Sequence, residues 1–381
     1  MVHASIVGWG KCLPPASLTN ADLSTFLDTS DDWIVSRTGM RERRISHVPL
    51  GDLAHVAAAR ALACAGLPPD AIDLIIVGST LGDELAPNVA SGVQLRLGAT
   101  RAASMDVNTA CTSFLYGLST ATALIRTGVV RTAIVIGAEV PTSFLDWDDR
   151  NTAVLFGDGA GAVVLQATDR EEGLLAERLG CDAEARGILD IRGVGGRYAN
   201  LGLPYGYTQW TFDGSEIFRR AVVGMTRASR DALEKRGLSV ADVDLLVPHQ
   251  ANRRILEAVA RRVGIAPERV FVNLERYGNM SAATVPVALA EALEVDMVRP
   301  GARILLTAFG AGLSWCAHLV RWGERTTPLG EASVELPPCP AAGLELVQAL
   351  RARRAKQVAA ARPFIEEARG LLRGSPGETG R

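Results

Sequence analysis

The chemistry of this chain is most visible in a thiol, an imidazole and a carboxamide. Cys111 closes the run SMDVNTAC, where an apolar strand-like stretch gives way to Leu115, Leu118, Ala121, Leu124 and Ile125 at helical spacing. A thiol in the first turn of a helix lies at the positive end of the macrodipole, which favours thiolate and lowers its pKa. That makes Cys111 a candidate covalent nucleophile. Cys12, Cys64, Cys181, Cys316 and Cys339 have no comparable position. The competing account of Cys111 is a small buried cysteine packed at a tight turn. His249 follows the run DLLVP, so it emerges at the carboxyl end of a strand, where ligands gather in open α/β sheets. A lone histidine is more often structural. Asn279, in RYGNMSAATVP, opens a further helix behind Gly278, and helix capping is the ordinary role for asparagine there. The segment AFGAGLSW (308–315) puts glycines at a strand end, where backbone N–H groups can approach a ligand and hold an oxyanion. GWG (8–10) and GVGG (193–196) lack a phosphate-loop pattern and read as turns.

The elements that carry these residues repeat. GLPPDAIDLIIV (66–77) and GLSVADVDLLVP (237–248) share a Gly-Leu, an acidic linker and an Asp-Leu that opens an apolar run. VVRTAIVIGAE (129–139) and RPGARILLTAFG (299–310) both leave a Gly/Arg turn for a strand, and between them SMDVNTAC (104–111) corresponds to VFVNLERYGN (270–279). Three pairs in one order argue for an internal duplication. The repeat does not itself call for an imidazole, since Gly78 stands where the second copy has His249. Strands alternating with helices predict an α/β protein with mainly parallel sheets packed in covered layers. The expected organisation is one half at 1–170 with the nucleophile and a second at 171–322 with the histidine and asparagine. A polar, Pro/Gly-rich linker and a basic helical tail follow at 323–381. That tail, with Arg351, Arg353, Arg354 and Lys356 before Pro363, reads as a solvated appendage.

Composition agrees with this. The chain has 381 residues, 48% of them apolar, and a formal net charge of −2, so no overall field favours nucleic acid or a membrane surface. No apolar run reaches the length that spans a bilayer, and MVHASIVGWG has no secretory signal pattern. Six scattered cysteines without a CxxC pair suggest neither a disulfide framework nor a zinc knuckle, and suit a reducing cytoplasm.

Several dispersed motifs together resemble the ketoacyl-acyl-carrier-protein synthases III, condensing enzymes on the thiolase fold. They are TSDDWIVSRTGMRERRI (29–45), NTACTSFLYG (108–117), DRNTAVLFGDGAGAVVL (149–165), VPHQANRRI (247–255), GNMSAATVP (278–286) and FGAGLSW (309–315). The resemblance covers about residues 3–322. It implies a homodimer, a Cys111–His249–Asn279 catalytic group, and an oxyanion hole formed by the backbone N–H groups of Cys111 and Ala311. It gives Trp33, Arg37 and Arg150 as contacts for the nucleotide of coenzyme A. Arg219, Gln250, Arg254, Arg261 and Arg262 are its contacts for an acidic carrier protein, and Ala86 and Phe309 belong to its acyl pocket. The implied reaction extends an acyl-CoA with malonyl-ACP through an acyl-cysteine, with loss of CO2 and with neither cofactor nor metal. Departures from the family pattern are Ser113, Met280, Ser215 and Ala86. The last replaces a bulky aromatic and supplies no glutamate base. Transfer of the acyl group to another acceptor, or a non-catalytic partner in a condensing complex, are the other readings. The intact catalytic group weighs against the second of these.

Overall fold

A computed structural model describes residues 2–198 and 208–361. Pro363 and the end of the expected tail lie outside the described residues. The first half contributes strands β1 (His3–Cys12), β2 (Ser17–Thr19), β3 (Glu42–Arg44), β4 (Leu74–Gly78), β5 (Ala103–Val107), β6 (Thr132–Glu139) and β7 (Gly159–Thr168). Its helices are α1 (Asn20–Ser24), α2 (Asp31–Thr38), α3 (Leu50–Ala65), α4 (Val89–Leu97), α5 (Ser113–Arg126) and α6 (Arg150–Ala153). From residue 173 onward come β8 (Gly173–Cys181), β9 (Leu189–Arg192), β10 (Gln209–Phe212), β11 (Leu245–Pro248), β12 (Arg303–Gly310) and β13 (Ser314–Arg321). The helices there are α7 (Gly214–Glu234), α8 (Arg253–Val263), α9 (Leu274–Tyr277), α10 (Thr284–Glu294) and α11 (Gly343–Ala361).

Nine strands form one continuous sheet in the order β11-β12-β13-β8-β1-β7-β6-β4-β5. Its two parts meet only at β1 and β8, through the single pair Ala4–Gly173. Pairing is parallel between β4 and β5, β4 and β6, and β11 and β12, the strands that feed helices. The alternation of strand and helix foretells that part. Antiparallel ladders join β7 to β1 and β6, and β13 to β12 and β8; of these, β12 and β13 are joined by a short connection, which can only fold a strand back alongside its predecessor. The repeat is preserved in the register: Leu74 pairs with Ala133 in one half, as Leu245 pairs with Ile304 in the other.

Burial sorts the helices into layers. α10 is buried along Thr284–Leu293, and α5 buries Phe114, Leu115, Leu118, Ala121 and Ile125. A helix apolar nearly all round belongs in an interior. Both lie in a cluster that includes Ile76, Val135 and Val163 from one half, and Val247, Ile304 and Leu306 from the other. α3 and α4 cover the outer face of the first half, while α7 and α8 cover that of the second. No helix among the described residues is long and apolar enough to cross a membrane.

The residues after 322 are not a solvated appendage. Leu329 N–H donates to Cys64 O at 3.0 Å, Arg60 pairs with Glu335 at 2.7 Å, and Val334 and Leu336 pack on the α3 cluster. α11 then buries Val347 completely, and Leu344, Leu346 and Leu350 in part, against Leu18, Leu23 and Trp147. Its basic residues do not all face water: Arg351 donates to Asp148 at 2.6 Å and Arg354 to Thr208 O at 2.8 Å.

Candidate active site

Two matching turns form the floor of the site. In the first, Asn108 Oδ1 accepts from Ala110 N at 3.1 Å, Ala110 takes φ 52°, and Ser113 Oγ donates to Ala110 O at 2.7 Å. In the second, Asn279 Oδ1 accepts from Ser281 N at 2.8 Å, Ser281 takes φ 47°, and Thr284 Oγ1 lies 3.0 Å from Ser281 O. The duplication therefore pairs Asn279 with Asn108 and Ala282 with Cys111. The sequence reading had set Asn279 against Cys111, three residues out of step. Nor is Asn279 a helix cap, because α10 begins at Thr284 behind Ala283, without a side-chain cap. With its carbonyl oxygen held by Ser281 N, the Asn279 NH2 is the end left for a ligand.

What the strands offer to each turn differs between halves. Beside the first turn β4 ends in Gly78, where a Cβ would lie 2.7 Å from the Ser113 carbonyl carbon, so only glycine fits. The same position beside the second turn is His249, whose Nδ1 lies 2.6 Å from Thr284 Oγ1. β12 ends in Gly310, where a Cβ would come within 2.9 Å of Cys111 N, while β6 ends at the same place in Glu139. Substitution at equivalent positions has thus placed nucleophile and imidazole in one pseudo-symmetric frame.

Cys111 sits in a single 3-10 turn (Ala110–Thr112) ahead of α5, rather than in its first α-turn. Burial pushes its thiol up to about 12, Ser281 Oγ at 3.3 Å and its own N–H pull it down, and Glu139 raises it. The macrodipole expectation of a lowered pKa is corrected accordingly: desolvation is the largest influence on this thiol and raises it. Burial pushes His249 down to about 3, so its imidazole is neutral at physiological pH. The Thr284 hydroxyl has one proton. It has two acceptors in reach, Ser281 O at 3.0 Å and His249 Nδ1 at 2.6 Å; given to Nδ1, it leaves the ring hydrogen on Nε2 at the opposite edge of the ring. Burial also raises Glu139 to about 7, against hydrogen bonds from Thr80 and Ser281.

Cys111, His249, Asn279, Phe309 and Ala311 line one cleft of about 1660 Å³ that also reaches Trp33, Arg37 and Arg254. Arg37 and Arg150 stack over the Trp33 ring with guanidinium carbons 4.5 and 4.7 Å from its centroid. Arg219, Arg261 and Arg262 are exposed on α7 and α8, and Arg219 is paired with Glu216 at 2.7 Å. Gln250 is fully buried: its amide donates to Pro248 O and Phe271 O, and its carbonyl accepts from Asn273 N. It holds the histidine loop and cannot meet a carrier protein. Ala86 is exposed, outside the cleft of its own chain. Ser113 and Met280 are buried off the cleft, so neither shapes it directly. Residues that the sequence reading passed over are Thr80, Glu139, Ser281 and Thr284. Only the repeat carried a signal for them, where Glu139 stands against Gly310.

A duplicated α/β body with a cysteine-bearing turn at its centre is a thiolase-like architecture, and the comparisons with known proteins place it further. The family model "3-Oxoacyl-[acyl-carrier-protein (ACP)] synthase III" matches residues 105–183, and its C-terminal counterpart matches residues 233–322. A relative in Vibrio cholerae, "Beta-ketoacyl-[acyl-carrier-protein] synthase III 2", is 54% identical over 345 residues, covering 91% of this chain and 95% of its own. The crystal structure of 3-oxoacyl-(acyl carrier protein) synthase III from Pseudomonas aeruginosa is 41% identical with a TM-score of 0.79, covering 84% of this chain and 99% of its own. The priming beta-ketosynthase of the R1128 polyketide pathway superposes with a TM-score of 0.80 at 32% identity, covering 84% of this chain and 97% of its own. This chain belongs to the beta-ketoacyl-acyl-carrier-protein synthase III family.

Proposed function

We propose that this condensing enzyme loads an acyl group from an acyl-CoA onto Cys111 and extends it with malonyl-ACP. The observation that carries the reading is the convergence of Cys111, His249 and Asn279 on one cleft, with the donor end of Asn279 fixed by Ser281 N. Cys111 sulfur attacks the acyl thioester, and the oxyanion is met by the backbone N–H groups of Cys111 and Ala311. Coenzyme A thiolate leaves and takes a proton from water. Malonyl-ACP then enters. The bond between its carboxylate and α-carbon breaks, CO2 departs, and the electron pair becomes an enolate. His249 Nε2–H and Asn279 Nδ2–H donate to the enolate oxygen. Its carbon attacks the acyl-Cys111 carbonyl, and the C–S bond breaks to free the enzyme. These donors meet the charge without a metal or cofactor.

Trp33, Arg37 and Arg150 form a stacking, cationic rim suited to the coenzyme A nucleotide. Arg219, Arg254, Arg261 and Arg262 form the basic face suited to an acidic carrier. The reading has the enzyme act as a cytoplasmic homodimer, with Ala86 of each subunit at the end of the partner's acyl pocket, where its small side chain leaves that end open. Support for that compartment is the cysteine set, all six of which are free thiols. Variants separate the two half-reactions. Cys111→Ala should abolish acyl-enzyme formation with the fold intact. His249→Ala and Asn279→Ala should still acylate yet lose CO2 release from malonyl-ACP by about 100-fold or more, the usual cost of a lost oxyanion donor. Acylation lost and decarboxylation kept in the His249 and Asn279 variants would reverse the assignment.

A further inference from the structure

Glu139 is buried in the cleft wall, yet no arginine or lysine is ion-paired with it among the described residues. An isolated buried carboxyl is expensive to keep, and the mechanism above makes no use of it. Its Oε1 accepts from Thr80 N at 2.9 Å and from Thr80 Oγ1 at 2.6 Å, and lies 2.9 Å from Ser281 Oγ. The same Ser281 Oγ lies 3.3 Å from Cys111 Sγ. Ser281 takes φ 47° there, a left-handed conformation that costs a serine on the order of 1 kcal/mol. The other half of the duplication has no such chain, because Gly310 replaces the glutamate and Ala110 the serine.

The geometry points to Glu139 as the acceptor that takes the Cys111 thiol proton, through the Ser281 hydroxyl, while the acyl thioester is attacked. The inference rests on Cys111 being the nucleophile. Ser281 Oγ has one hydrogen, and of its three neighbours Thr80 Oγ1 at 3.4 Å already donates to Glu139, so sulfur and carboxylate are the two partners between which the chain has two states. In the resting state the thiol donates to Ser281 Oγ and Ser281 donates to the Glu139 carboxylate. In the other, protonated Glu139 donates to Ser281 Oγ, and Ser281 donates to sulfur. Passage between them moves one proton across each link. The S–H electron pair stays on sulfur and becomes the new S–C bond, and the carbonyl π pair moves to oxygen until coenzyme A thiolate is expelled. When condensation later breaks the S–C bond, the proton returns from Glu139 to sulfur by the same path.

The half-buried thiol at the cleft floor is raised to about 12 and Glu139 to about 7. Proton transfer is therefore coupled to attack, and no free thiolate is stored. The titratable groups on which this carboxyl acts are Cys111 and buried Asp158, which is likewise raised to about 7. Loading of Cys111 should then require Glu139 as a carboxylate.

The test is rapid-quench measurement of Cys111 acylation from acyl-CoA between pH 5.5 and 9. The wild-type rate should rise along a one-proton limb centred near 7. Glu139→Gln should acylate about 100-fold more slowly, the scale of a lost proton acceptor, with that limb absent. Glu139→Asp should restore the limb. CO2 release by Glu139→Gln enzyme acylated beforehand should stay within a few-fold of wild type, which a general structural defect would not allow. Ser281→Ala removes the middle link without touching a charge and carries the test if Glu139→Gln fails to fold. Wild-type acylation rates with the limb intact in Glu139→Gln or Ser281→Ala would overturn the relay. Acylation of Cys111→Ala in the same assay would instead show that the nucleophile reading has failed.

Discussion

Thr284 hydroxyl decides what His249 can do. Among the described residues its 2.6 Å contact to Nδ1 is the side-chain hydrogen bond that holds the ring, and the direction of that bond sets which nitrogen carries the ring hydrogen. Thr284→Val keeps the shape of the side chain and removes that bond. We expect CO2 release to fall about tenfold or more while acylation from acyl-CoA is unchanged, measured as separate half-reactions. Cys111, His249 and Asn279 are legible in the sequence because each sits at a recognisable junction of apolar run and turn. Ser281 and Glu139 are not, since their contact joins the two halves across 142 residues, and Thr284 is not, since it meets His249 across 35 residues of one half. The state of the thiol was misread for a related reason. A helix dipole follows from local sequence, whereas desolvation depends on how the two halves enclose the residue.

At the scale of elements, the repeat gives the strands and central helices, and the structure keeps its register. What it does not give is the returning antiparallel strands or the docking of α11. The tail reads as solvated because its basic residues are prominent, yet Leu344, Leu346, Val347 and Leu350 supply a buried face. Arg354 reaches Asp146 at 3.2 Å and Thr208 O at 2.8 Å, and Thr208 Oγ1 in turn donates to Phe144 O at 2.5 Å. Phe144 and Thr208 both line the cleft, and Arg150 follows on the same segment. Arg354→Ala should therefore raise KM for acyl-CoA several-fold with kcat little changed, as steady-state kinetics would show. The solved relatives match 84% of this chain at almost their full length. On α8, Arg254→Glu should raise KM for malonyl-ACP more than for acyl-CoA, and less so at high salt, where screening already weakens docking.

At the scale of the molecule, the proposed dimer would set Ala86 at the end of the partner's acyl pocket. Each methylene buried there is worth about 0.8 kcal/mol, roughly fourfold in binding. Ala86→Phe should suppress longer starters and spare acetyl-CoA in a panel of acyl-CoAs, whereas a wild-type preference for acetyl-CoA would contradict the open pocket. Burial of neutral imidazoles also shapes stability. His249 and His318 are both pushed down to about 3 by desolvation. A depressed pKa means that their contribution is complete above the unfolded value near 6.5 and is lost as pH falls toward 3. Between about pH 4.5 and 6.5 the raised Glu139 and Asp158 act in the opposite sense, since theirs is stability lost as pH rises toward 7. Thermal unfolding of His318→Gln against pH should show a shallower acid limb than wild type, by on the order of a few kcal/mol between pH 6.5 and 3. Intact-protein mass spectrometry follows the acyl group itself. Incubation with acyl-CoA should add one acyl mass per chain, located on the peptide that contains Cys111. Addition of malonyl-ACP should then discharge it with release of one CO2 and appearance of the 3-ketoacyl-ACP. Discharge of the acyl group to an acceptor without loss of CO2, or an acyl mass on any residue but Cys111, would contradict the account.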